Sequence, residues 1–74
     1  MTTLKKEDKI QIIEARLKSI EYKKYSLGID LVVENNKSEP LEEAVINLNN
    51  AIEECNNQLE VLNSELADVN ALAE

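Results

Sequence analysis

There is no histidine in this chain and no phenylalanine or tryptophan; glycine, proline, cysteine and methionine occur once each. Without histidine, the commonest zinc ligand and the usual general base near neutral pH are both missing. The single cysteine, Cys55, excludes a disulfide within the chain and has no histidine to activate it as a nucleophile. One glycine cannot build a phosphate-cradling loop. Two tyrosines as the only aromatics imply an aliphatic core and leave almost no platform for stacking bases. No window approaches the ~18 apolar residues of a membrane span, and the first residues, "MTTLKKEDKIQII", lack an apolar signal-peptide region. The expectation is therefore a cytoplasmic protein with no catalytic residues, no cofactor, no metal and no membrane partner.

Basic residues are also missing from half of the molecule. All eight lie in residues 1–37 beside six acidic ones, whereas residues 38–74 hold nine acidic residues and no basic one. The halves thus carry +2 and −9, which make up the net −7. That balance disfavours nucleic acid and anionic lipid as partners. Lys5, Lys6 and Lys9 are interrupted by Glu7 and Asp8, so they read as a solvated helix start.

What is present is helical periodicity. In the second half Leu41, Val45, Leu48, Ile52, Cys55, Leu59, Leu62, Leu66, Val69 and Ala73 alternate at spacings of four and three, the seam pattern of a coiled coil. Cys55 within that seam reads as a small buried hydrophobe. The first half follows the same rhythm through Ile10, Ile13, Leu17, Ile20, Lys24, Leu27, Leu31 and Glu34. Lys24 is the polar break in this seam. Its stem can run past Leu27 or Ile20 toward Glu53 or Glu21, or the break can select a register.

Between the halves lies "ENNKSEP". Asn35 or Asn36 can end a helix in the left-handed conformation, Ser38 or Glu39 can cap the next one, and Pro40 fits its first turn. Thr2 or Thr3 is the candidate cap at the start of the chain. The resulting expectation is an all-α antiparallel two-helix hairpin, coiled-coil-like, in one domain over residues 1–74: helix 3–35, turn 35–39, helix 39–73. Folding at the turn brings position i near 75 minus i, with Ile20 by Cys55 and Ile13 by Leu62. The two arms match in length at about 45–50 Å, and the mildly basic arm faces the acidic one.

Two further patterns stand out. Asn49, Asn56, Asn63 and Asn70 recur every seven residues beside the second seam, either as a solvated shoulder or as a neutral flank that another helix could approach. The second pattern lies in "YKKYSLGIDLVVENN". Stopping the helix at Gly28 would leave "IDLVV" as a lone strand with an unsatisfied backbone. A helix running through Gly28 carries a cost of about 1 kcal/mol relative to alanine. That cost can be tolerated where a second backbone comes close or the helix bends. Continued as a helix, the segment holds a second apolar stripe of Tyr22, Tyr25, Ile29 and Val32, with Val33 beside it and Ala15 and Lys18 extending the line. Either these side chains lie along the hairpin's own flank and turn, or they form an intermolecular surface.

The segments "ARLKSIEYKKYSLGIDLVVENN" and "LNSELADVNALAE" resemble short two-helix proteins of tailed phages, notably those of marine cyanobacteria. The resemblance brings no assigned activity and no functional residues. It implies a phage source, with a host-cytoplasmic or virion-associated setting.

The functional expectation is a non-enzymatic protein–protein interaction or assembly module acting through Tyr22, Tyr25, Ile29, Val32 and Val33. Its expected partners are a second copy, a dimer of hairpins forming a four-helix bundle, or another protein. The alternative is an acidic inhibitor mimicking nucleic acid, with Glu43, Glu53, Glu54, Glu60 and Asp68 facing a basic cleft.

Overall fold

A computed structural model describes residues 3–73. Two helices, α1 (Lys6–Asn35) and α2 (Glu42–Asn70), fold back on one another as an all-α hairpin, with no strand among the described residues. The molecule is a rod of 57 × 18 × 15 Å.

The seam expected from the periodicity is the contact between the arms. Ile13, Cys55 and Val69 are buried, and the other seam positions from Ile10 to Leu31 and from Val45 to Leu66 are half-buried. Lys24 is half-buried with them, and it has no ion pair with Glu53 or Glu21 within 4.0 Å. Its stem supplies apolar surface to the seam, and the ammonium finds no fixed partner. The hairpin closes where Lys6 Nζ donates to the Leu72 carbonyl at 3.0 Å. This is about one helical turn beyond the expected pairing, a distance the lysine stem spans. A cation at the end of α2 complements the carbonyls left open there, since the last turn of α2 contains no basic residue.

The helix ends differ from expectation in four respects. First, α1 begins at Lys6 and not at residue 3. Its start is held by Asp8 Oδ2, which accepts from the Lys5 backbone N–H at 3.2 Å. An acidic third position does this work, so Thr3 remains outside the helix; Thr2 lies outside the described residues. Second, Asn36 ends α1 at φ −94°, ψ 2°, and no described residue has positive φ. A left-handed residue is unnecessary because Asn36 Nδ2 donates to the Val32 carbonyl at 2.7 Å, and backbone bonds to Val32, Val33 and Glu34 close the last turn. Third, α2 begins at Glu42, with extended Leu41 as its cap and neither Ser38 nor Glu39 in that role. Pro40 keeps Glu39 out of helical backbone, and the connection runs on through Pro40 and Leu41 to Glu42. Leu41 consequently lies exposed in the connection and does not join the seam. Fourth, α2 ends at Asn70, which leaves Ala73 exposed beyond it.

Glu34 closes the first seam as a buried carboxylate, 7% exposed. Its Oε1 accepts from Lys37 Nζ at 3.3 Å. Its Oε2 lies 3.2 Å from the same ammonium but has no hydrogen bond of its own. Among the described residues this is the ion pair of the fold, and it lies within the bend, between residues three apart.

Candidate interaction surface

The same period that places Leu27 and Leu31 toward α2 carries the residues between them to the far side of α1. Tyr22 is 68% exposed and Tyr25 72%, while Ile29, Val32 and Val33 are each about half exposed or more. None of the five folds down onto the hairpin's flank or turn. Tyr22 has one local partner, the Lys18 ammonium at 6.0 Å from the ring centroid. Together the five side chains expose on the order of 500 Å² of largely apolar surface, near the top of the range for the largest patch on an ordinary monomer.

The stripe borders an open groove of about 530 Å³, lined by Tyr25, Gly28, Ile29 and Val32 of α1 and by Ile52 and Leu59 of α2, with Glu21 and Lys24 at its edge. Ile52 and Leu59 belong to the seam but are covered on only one side, because two helices cannot enclose a seam. Their part in the surface was missed in the sequence. Position in a seam signals burial, and only the number of helices present tells how complete that burial is.

Gly28 lies within this groove in continuous helix. A Cβ built on it would have no heavy atom within 4 Å, and its φ is not positive. Neither internal packing nor backbone conformation within the hairpin therefore requires glycine here.

The remaining surface is different in kind. A groove on the other side is lined by Arg16, Ile20, Glu54, Asn57, Gln58, Val61 and Leu62, so its apolar residues are interrupted by charged and amide groups. Asn49, Asn56, Asn63 and Asn70 are exposed along α2, as are Glu43, Glu53, Glu54, Glu60 and Asp68. Glu54 is engaged locally, accepting from Gln58 Nε2 at 3.3 Å. Cys55 is 1% exposed, shielded from reagents and substrates alike. Among the described residues, no three of histidine, cysteine, aspartate and glutamate come together to hold a metal ion. No described helix is long and apolar enough to cross a membrane.

The chain exposes 5829 Å², whereas a compact monomer of 8.4 kDa exposes about 4,600 Å². The excess is on the order of 1,200 Å², and among the described residues Ile13, Cys55 and Val69 are the buried apolar core. No protein-family model matches the chain, and neither a curated protein nor a solved structure is similar to it, so the functional reading rests on this surface.

Proposed function

We propose that the protein is a non-enzymatic interaction and assembly module that docks through the Tyr22, Tyr25, Ile29, Val32 and Val33 face of α1. One observation carries the reading. The exposed apolar stripe of α1 adjoins an open, mostly apolar groove, and within that groove stands a glycine for which the hairpin itself has no use. A mid-helix glycine costs about 1 kcal/mol, and nothing packed within the hairpin accounts for that cost. Tyrosine suits such a face, since its ring can be covered while its hydroxyl stays wet. The setting in this reading is the cytoplasm, that of the host cell if the chain is phage-encoded.

The test is site-specific photo-cross-linking in the cell that makes the protein. A photoreactive residue at Tyr25 is expected to give discrete adducts. One at Val61, which is 67% exposed on the other groove, is expected to give none. Equal adducts from both positions, or none from Tyr25, would refute the proposal.

A further inference from the structure

We propose that the occupant of this face is a second copy of the chain, with α1 lying antiparallel on α1 across a two-fold axis level with Leu27. This inference rests on the docking role of the face and adds who docks and in which direction.

The first support is the order of residues along the stripe. Lys18, Tyr22, Tyr25, Ile29, Val32 and Asn36 are separated by four, three, four, three and four, a spacing that reads the same in both directions about Leu27. In an antiparallel pair Tyr22 of one copy therefore meets Val32 of the other, and Tyr25 meets Ile29. Every apolar layer then combines one large ring with one smaller aliphatic side chain, and the helices keep a constant separation. A parallel pair would place tyrosine on tyrosine at one end and valine on valine at the other, and the helices would splay.

The polar residues at the ends of the stripe fit the same arrangement. Lys18 of one copy falls opposite Asn36 of the other. Asn36 Nδ2 is already committed to the Val32 carbonyl at 2.7 Å, which leaves Oδ1 as the acceptor of this exposed side chain. The Lys18 ammonium, now 6.0 Å from the Tyr22 ring centroid, is a donor of matching chemistry.

Small residues flank the axis. On one side each Ser26 lies beside its own copy, and on the other each Gly28 does so, the members of each pair being displaced by about 3 Å along the axis. Ser26 and Gly28 thus add little bulk beside the central layers, and the Tyr25 and Ile29 side chains set the separation of the helices. Charge agrees, and the contact is modest: the face exposes about 500 Å² per chain, below the roughly 800 Å² that each partner contributes to a standard stable interface. Pairing through the +2 arm keeps the two −9 arms on the outside of the assembly, where their repulsion is least.

Disulfide trapping in a Cys55→Ala background tests both parts, with helicity of each variant checked by circular dichroism. Ser26→Cys leaves the stripe intact and is expected to link to itself. Mixed Tyr22→Cys and Val32→Cys chains are expected to give the mixed product severalfold above either self-product, because like positions lie about 15 Å apart along the axis. Dominant self-products of Tyr22→Cys and of Val32→Cys would overturn the antiparallel arrangement. A wild-type mass of one chain at all concentrations, together with no Ser26→Cys product, would overturn self-pairing. Discrete Tyr25 photo-adducts containing only another protein would then leave the docking role standing without it.

Discussion

Gly28→Ala separates the stability of the hairpin from that of its assembly, because it should raise the first and leave the second nearly unchanged. Within the hairpin the added methyl meets no atom within 4 Å, so no steric cost offsets the gain in helix propensity. That gain is about 1 kcal/mol, which for a domain of this size raises the melting temperature by about 4–8 °C. Between two copies, Tyr25 and Ile29 fill the space between the helices and Gly28 stands at their flank, so a methyl there meets no backbone. Association should therefore stay within about fivefold of wild type, a difference of about 1 kcal/mol or less. The hairpin term is measured by thermal unfolding in a Tyr25→Glu background, in which a carboxylate on the face blocks pairing. The assembly term is measured by sedimentation equilibrium in the otherwise wild-type chain. Gly28→Ala that weakens association by more than about tenfold, or that fails to stabilise the hairpin, would refute the placing of Gly28 at the flank.

Other changes probe the seam. Lys24→Leu fills a half-buried seam position that has no ion pair, and it should raise the urea midpoint by an amount equivalent to about 1 kcal/mol; a lower midpoint would mean that the ammonium is needed. Glu34→Met removes a buried carboxylate oxygen lacking a hydrogen bond, and stability by urea titration should stay within about 1 kcal/mol of wild type or exceed it. A loss of more than about 2 kcal/mol would show the Lys37 pair to be a net stabiliser. Cys55 should react with a thiol reagent only through opening of the hairpin. Its labelling should be at least on the order of a hundredfold slower than in denaturant, the factor set by an opening free energy of about 3 kcal/mol. Labelling as fast as in denaturant would contradict its burial.

Most of the fold was legible because one signal dominates it. Alternation of three and four identified both seams, including the positions of Lys24 and Glu34, and a single proline and an asparagine pair located the bend. The helix ends were less legible because several residues compete to satisfy the same few backbone groups. Asp8 held the start of α1 where Thr3 was expected to, the Asn36 side chain replaced a left-handed turn, and Leu41 capped α2 beyond Pro40. On the candidate surface, the stripe of α1 could be read from spacing, since two apolar faces on one helix exceed what one neighbour can cover. The contribution of Ile52 and Leu59 could not, because their partial exposure depends on the three-dimensional arrangement of two helices and not on either period.

The central claim, that the Tyr22–Val33 face is covered by a second chain, is tested most directly by sedimentation equilibrium of the wild type over a wide concentration range, beside Tyr25→Glu and Val61→Glu. The predicted result is a rise from 8.4 kDa toward twice that mass for the wild type and Val61→Glu, with Tyr25→Glu held at one chain. A wild type that stays at 8.4 kDa throughout, or a Tyr25→Glu chain that associates as the wild type does, would contradict it.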